Sequence, residues 1–215
     1  MTTYEKGKQS RKEIISSARK IFNESGIQIT LANLSERLDT TLGRLTYHFS
    51  NKDLLFIAIA REYENKLVEL RERRNSSLIS LNSFISTSSR VMDLQYEYRC
   101  AMRYIVSSMK NNNEIRTHIQ ETYSYNRENI RNTIEALVQS GSLQSRILID
   151  NIYEVFLFQL TNLFTTWVIH CELYDSEKSF TETKPIYMKG IISIFIPYVT
   201  AKGQQELDES GIFAN

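Results

Sequence analysis

The sequence predicts an all-α fold, with three short helices at the N-terminal end and a larger helical part after them. Only 7 Gly and 2 Pro occur in 215 residues, and so few helix breakers favour long helices over a turn-rich β fold. Apolar side chains recur every three or four residues along much of the chain, which is the period of a helix with one buried face. The composition, 41% hydrophobic and 24% charged, is that of a globular protein.

The N-terminal fifty residues divide into three helical segments separated by turn signals. The first is predicted to begin at Ser10, where Ser-Arg-Lys-Glu has the spacing of a capping box, and to end at Gly26. Thr30 is the expected N-cap of a short second helix, and Thr41 that of a third. Asp39 lies in the turn between them, since its side chain can bond nearby backbone amides. The second and third helices therefore form a helix-turn-helix unit.

Longer helices are predicted for the rest of the chain. A cap signal at residues 50–53 begins a helix that continues to about residue 74. Later helices are expected, with ends uncertain by a few residues, at about 80–110 (as one helix or two), 114–139, 146–173 and 185–200. The expected domains are the helix-turn-helix domain, the larger helical domain and a loose tail, at residues 1–52, 53–202 and 203–215.

Charge is unevenly distributed along the chain. The net charge is +1, but residues 1–60 contain nine Lys and Arg against six Asp and Glu, which gives +3. A local basic end can bind phosphate at one face, although a solvated charged tail is the alternative.

Cysteine use and hydropathy exclude several classes of protein. Cys100 and Cys171 are isolated, without the spacing of a disulfide framework or a metal site, so we expect a reducing, cytoplasmic location. The N-terminal residues lack the apolar core of a signal peptide. The longest uncharged stretch, residues 155–169, is too short to span a bilayer, and no membrane partner is expected.

The face of the third helix that is not needed for packing has side chains suited to double-stranded DNA. Arg44 can pair with guanine through two hydrogen bonds, and Leu42 can contact a thymine methyl group. Lys52 begins the next helix, where free amides already favour phosphate. The predicted contacts on this face are Thr41, Leu42, Gly43, Arg44, Tyr47 and His48, the last of which is equally suited to a structural hydrogen bond.

Two segments of this region resemble the N-terminal domain of TetR-family regulators. They are EIISSARKIFNESG at residues 13–26 and ITLANLSERLDTTLGRLTYHFSNKDLL at residues 29–55. The resemblance implies that the chain binds operator DNA, with a phosphate contact at Thr30. It also implies DNA contacts at Thr41, Leu42, Gly43, Arg44, Tyr47 and Lys52. The chain departs from the family pattern at Asp39, Leu42 and Thr46, and these departures concern the operator sequence more than the fold.

The last two predicted helices are apolar on more than one side, which favours burial on both sides. We expect them to form a homodimer interface that includes Phe156, Leu163, Ile192 and Phe195. TetR-family dimers, which this chain resembles, pair their last two long helices in this way. The alternative is that both helices are interior core.

Aromatic and polar side chains between residues 92 and 170 suit a pocket for a small, largely apolar effector that releases the DNA. The expected lining is Tyr104, Tyr123, Asn162, Thr166, Trp167 and His170, although core packing also explains the aromatic residues.

Enzyme chemistry has weak support in the sequence. His118 and Glu121 share a helix face without a second pair of metal ligands, and no nucleophile–base pair or phosphate loop occurs. We therefore predict no catalytic residue, no cofactor and no metal. The favoured function is a homodimeric repressor released by its effector. A ligand-independent or activating regulator, a helical-bundle enzyme and a protein-interaction module are the alternatives.

Overall fold

The computed structural model describes residues 3–72, 79–108 and 113–214. Within these ranges the chain forms ten α-helices and two 3-10 turns, with one isolated antiparallel bridge between Leu143 and Val199. The all-α prediction is confirmed. The helices are α1 (Thr3–Ser25), α2 (Leu31–Arg37), α3 (Leu42–His48), α4 (Lys52–Glu72), α5 (Leu81–Glu97), α6 (Arg99–Ser108), α7 (Asn113–Gln139), α8 (Asp150–Tyr174), α9 (Phe180–Ser193) and α10 (Ala201–Ser210).

The chain divides into two compact units. The first contains Met1–Val68 and Leu94–Arg116, and the second contains Glu69–Asp93 and Thr117–Asn215. Most of α4, from Lys52 to Val68, and all of α6 belong to the first unit, whereas the expected helix-turn-helix domain ended at residue 52. The reason is packing: Phe56 of α4 stacks on Tyr104 of α6, with 3.8 Å between ring centroids.

The core of the first unit joins its first four helices. Phe22 and Phe56 lie 4.5 Å apart between ring centroids. Each of the four helices also contributes fully buried apolar side chains, which include Ala18, Leu34, Leu45, Leu55 and Ile59. One side of the short helix α3 is thereby fixed, and its other side is left exposed.

Polar side chains of α1 hold the junction between α5 and α6. Arg19, only 7% exposed, places Nη1 2.7 Å from the Glu97 carboxylate and donates to the Glu97 carbonyl at 3.0 Å. The Asn23 amide donates to the same carbonyl at 2.8 Å and accepts from the backbone N–H of Cys100 at 3.0 Å. These bonds satisfy backbone groups that the break between two helices leaves free. The segment predicted at 80–110 as one helix or two is thus two helices.

Three of the expected helix boundaries were wrong, one of which is the end expected at residue 200, since α9 ends at Ser193. The first helix begins at Thr3, not at Ser10, and the Ser10 hydroxyl accepts a hydrogen bond from Arg44 instead of capping a helix. α9 begins well before Pro185, because Ser179 and Glu182 form a complete capping box in the charged loop. The predicted caps at Thr30 and Thr41 are confirmed, with their hydroxyls accepting backbone N–H groups at 3.2 and 3.1 Å.

The expected loose tail is instead helix α10, which packs within the second unit. Leu207 is buried, and the buried carboxylate of Glu206 accepts a hydrogen bond from the Leu81 backbone N–H at 2.7 Å. The backbone of Gly203 lies so close to the Ser142 carbonyl that an added Cβ would come within 2.1 Å of its oxygen. Of the three buried positions of α10, only Leu207 is a large apolar residue, and the other two are Gly203 and Glu206. The sequence of α10 therefore lacks the apolar period by which a packed helix is recognised.

Helix α8 is long and apolar enough to cross a membrane by length and composition alone. Its inward side, however, is packed in the core of the second unit, where Phe156 meets Phe195 at 5.0 Å between ring centroids. Leu160, Trp167 and Val168 are also buried on this side. A core helix of this kind passes the same test of length and composition as a membrane span.

Candidate nucleic-acid interface

The exposed face of α3 presents the side chains that the sequence predicted for DNA. Leu45 and the following Phe49 are buried, whereas Tyr47 is 84% exposed and Leu42 is 45% exposed. His48 is half-buried, and the other exposed positions are Thr41, Gly43 and Arg44. The helix therefore has one anchored side and one free side with hydrogen-bond donors, an aromatic ring and a guanidinium.

The turn before α3 depends on a residue in the left-handed region. Asp39 has a φ of 49°, and its N–H donates to the Glu36 carbonyl at 3.1 Å. Asp tolerates this conformation better than most residues because its side chain is short and polar. Thr30 is exposed at the start of α2, on the surface of the same unit. The turn of the helix-turn-helix unit is thus formed with an aspartate in the left-handed conformation that favours glycine.

Lys52 has a structural role that the sequence did not predict. Its Nζ donates to the carbonyls of Ile27 at 2.8 Å and Ile29 at 3.4 Å, and lies 5.6 Å from the ring centroid of Tyr104. Burial lowers the pKa of Lys52. Its ammonium group links the loop between α1 and α2 to the start of α4. A phosphate bound by Lys52 would therefore share the ammonium group with these two carbonyls.

The first turn of α4 is fixed from two more directions. The Asn51 side chain accepts from the Leu54 N–H at 2.9 Å, which caps the helix. The Tyr104 hydroxyl donates to the Asp53 carboxylate. Burial first, and this hydrogen bond second, raise the pKa of Tyr104 to about 12. The start of α4, directly after α3, is therefore bonded to α6.

Cationic groups gather around the end of α3. Arg44 donates from Nη2 to the Ser10 hydroxyl at 3.0 Å, and the Arg11 guanidinium lies 4.8 Å from the ring centroid of Phe49. Burial lowers the pKa of His48, and the charges of Arg44 and Arg11 lower that pKa further. A positive field of this kind attracts phosphate.

Metal and thiol chemistry find little support in the described part of the chain. No group of three or more His, Cys, Asp or Glu side chains within it is placed to hold a metal ion. The side chain of His118, considered above with Glu121, lies outside the described residues. Cys100 and Cys171 are buried and free, and burial raises the pKa of the Cys100 thiol to about 11. A thiol that stays protonated is a poor nucleophile.

The predicted ligand-pocket residues on α8 lie on different sides of that helix. Trp167 is buried against Phe180 and Tyr187, each at 5.9 Å between ring centroids. Thr166 and His170 are exposed, whereas Asn162 is half-buried and donates to the carbonyl of Phe158 in its own helix.

The two remaining pocket predictions lie on other helices. Tyr104 belongs to the first unit, where its ring is stacked on Phe56 and its hydroxyl is bonded to Asp53. Tyr123, on α7, is 38% exposed.

Three of the four predicted dimer contacts lie in the core of a single chain. Phe156, Ile192 and Phe195 are buried inside a single chain, at 2%, 0% and 0% exposure, and Leu163 is half-buried. The periodicity of α8 showed two apolar sides, but it did not show which one faces the core. The other side of α8 is exposed or half-exposed at Val155, Phe158, Asn162, Thr166, Ile169 and Leu173. We call these residues, together with the exposed Ile186 and Gly190 of α9, the outer stripe.

A short helix with one anchored side, one exposed basic and aromatic side and a tight turn before it defines a helix-turn-helix DNA-binding protein. The family model described as bacterial regulatory proteins of the tetR family matches residues 14–59, and the TetR bacterial transcriptional repressor model matches residues 62–207. The chain belongs to the TetR family. It is thus a DNA-binding regulator of the repressor type, not an enzyme.

Individual proteins agree with this assignment. A probable acrEF/envCD operon repressor from Escherichia coli K12 is 20% identical over 198 residues, which is 88% of each chain. The crystal structure of a TetR-family regulator from Marinobacter aquaeolei VT8 superposes with a TM-score of 0.81 at 21% identity, over 98% of each chain. The structure of a gamma-butyrolactone receptor, described as ArpA-like, has a TM-score of 0.70 at 16% identity over 96% of each chain.

The His48 environment predicts a measurable pKa. Because burial, Arg44 and Arg11 all disfavour the charged imidazole, the pKa of His48 in the folded protein should lie below 6.5. The unfolded chain then takes up the proton first, so this residue's contribution to stability declines as the pH falls through 6.5. An NMR titration of the ring protons, assigned with His48→Gln, measures the pKa directly.

The variant Arg11→Ala should move the pKa of His48 back toward 6.5, since it removes one of the two nearby charges. Arg37→Ala is the matched control, because that guanidinium is bonded to Ser25 instead. A His48 pKa at or above 6.5, or one that does not respond to Arg11→Ala, would contradict the cationic environment.

Proposed function

We propose that the protein is a homodimeric cytoplasmic repressor whose α3 helices bind the major groove of a palindromic operator, and that a small, largely apolar effector releases it. The observation that supports the first part is the exposed face of α3, opposite the buried Leu45 and Phe49. A helix fixed on one side and free on the other can enter the groove without unfolding any of its packing.

Side chains on α3 have distinct tasks in this proposal. Arg44 is the residue best able to select a base, because a guanidinium can donate two hydrogen bonds to guanine. Tyr47, His48 and Thr41 have donors for phosphates or base edges, and Leu42 offers only apolar contact. The hydrogen bond from Arg44 to Ser10 has to yield or be shared when the guanidinium turns to a base.

The outer stripe supports the homodimer. Phe158 is 60% exposed, Leu173 67% and Ile186 66%, which is unusual for large apolar side chains on neighbouring helices. Gly190 has open space around it, so a partner helix can approach closely there. A second copy is the occupant that this stripe fits, because a two-fold axis lets α8 and α9 pack on their own equivalents.

The effector proposal rests on the interior of the second unit. Thr161, on the inner side of α8, has a buried hydroxyl with no hydrogen-bond partner among the described residues. Buried polar groups are usually paired, so a bound polar atom would complete this one. The fold shared with a gamma-butyrolactone receptor supports a ligand about as large as a gamma-butyrolactone. A ligand-independent regulator remains the alternative.

Arg44→Ala should weaken operator binding by about 1–3 kcal/mol and relax the preference at one base pair. The operator is first recovered by genomic pull-down of bound DNA, and affinities are then measured on the operator and on single-base variants. Arg61→Ala removes another exposed cation, from the middle of α4, and is the control. Equal affinity and unchanged base preference in Arg44→Ala would show that the recognition face is misassigned.

Phe158→Glu should produce monomers with weak operator binding, because a charge in the outer stripe has no partner across a two-fold interface. Val106→Glu is the matched control, since Val106 on α6 is 61% exposed and lies outside the stripe. Sedimentation velocity measures the oligomeric state. A stable monomer in the unmodified protein, or a dimer that survives Phe158→Glu, would contradict this interface.

Trp167 is the only tryptophan, so its fluorescence should report effector binding in the second unit. γ-Butyrolactones and other amphipathic molecules that change this emission should also release operator DNA. Operator DNA should in turn weaken ligand binding by the same factor, which is about 5–150-fold in typical allosteric proteins. Trp167→Phe should lose the signal but keep the release. Binding without any effect on DNA affinity would favour the ligand-independent regulator.

A further inference from the structure

Helix α1 extends well beyond the part of the chain that matches the family. It begins at Thr3, whereas the match to the tetR-family model begins at residue 14. The eleven residues 3–13 therefore form additional helical turns, which we call the N-terminal extension. No role for them follows from the family match, so their role has to be inferred from their contacts and charge.

The N-terminal extension lies beside α3. Its Ser10 hydroxyl accepts from Arg44 Nη2 at 3.0 Å, and its Arg11 guanidinium lies over the Phe49 ring at 4.8 Å from the centroid. The charge of Arg11 is also felt at His48, whose pKa it lowers. One residue of the extension thus contacts the proposed base-contacting arginine, and the next covers the end of α3.

The extension is also basic and exposed. Its sequence, TYEKGKQSRKE, contains four Lys and Arg against two Glu, which gives +2. Lys8, Arg11 and Lys12 are exposed, and none of them takes part in an ion pair within the described residues. Glu13 instead accepts a hydrogen bond from Gln9 at 2.9 Å. Exposed cations without counter-ions, beside a helix that enters DNA, meet the phosphates that flank the contacted bases.

We propose that the N-terminal extension is a second DNA-contacting element, in which Lys8, Arg11 and Lys12 bind backbone phosphates next to the base pairs that α3 contacts. This inference rests on the proposed function, since it presumes that α3 enters the groove. Phosphate contacts have no sequence preference, so the extension raises affinity for all duplex DNA and leaves base selection to α3.

The decisive variant is Lys8→Ala with Lys12→Ala, because both side chains are exposed. Binding of the full-length protein to a fluorescent mixed-sequence duplex is measured by anisotropy at several KCl concentrations. The plot of log K against log[KCl] has a negative slope, and each lost phosphate contact should make it less steep by about 1. The double variant should therefore reduce the steepness by about 2. Arg11→Ala should reduce the steepness by about 1 more, with its fold checked by circular dichroism because of the contact with Phe49.

Lys20→Ala is the matched control, since Lys20 is exposed on the same helix, about 12 Å further along from Lys12. An unchanged slope in the double variant would overturn this inference and leave the proposed function intact if Arg44→Ala still relaxes base preference. An equal loss in Lys20→Ala would also overturn it, because the effect would then reflect net charge. Failure of the unmodified protein to bind any duplex would overturn both proposals.

Discussion

The burial of one side of α3 is the constraint on which the DNA-binding surface depends. A helix of seven residues is too short to be stable alone, so its conformation has to come from tertiary packing. Leu45 and Phe49 provide that packing, against a core that includes Phe22 and Leu34. Every free side chain of α3 then has a defined direction, because the buried side fixes the rotation of the helix about its axis.

The surroundings of α3 are held by polar bonds as much as by apolar contact. Lys52 ties the loop between α1 and α2 to α4 through two carbonyls, and Tyr104 ties the start of α4 to α6 through Asp53. Arg19 and Asn23 hold the junction between α5 and α6 on α1. The bonds to Ile27, Ile29 and Glu97 satisfy backbone carbonyls in a loop and at the end of a helix. The first unit therefore includes α6 as well as the first three helices.

Cations in this body are divided between two tasks. Lys52 and Arg19 are partly or wholly buried and bonded to backbone or carboxylate oxygens, so they stabilise the fold. Arg44, Arg11, Lys8 and Lys12 remain exposed, and the charges of Arg44 and Arg11 add to burial in lowering the pKa of His48. Net charge alone, at +1, gives no indication of this division. The cations proposed to bind DNA and those that stabilise the fold are distinguished by their burial.

The sequence by itself determined the helical class, the two caps at Thr30 and Thr41 and the set of side chains on the free side of α3, because local spacing and capping chemistry fix all three. Only the tertiary structure decided which side of α8 is buried, so Phe156 proved to be core while Phe158 is exposed. The same holds for α10, whose buried Gly203 and Glu206 have no apolar pattern, and for Lys52, whose partners lie more than twenty residues away along the chain. Periodicity shows that a helix has an apolar side, but contacts between residues distant in sequence decide what that side meets.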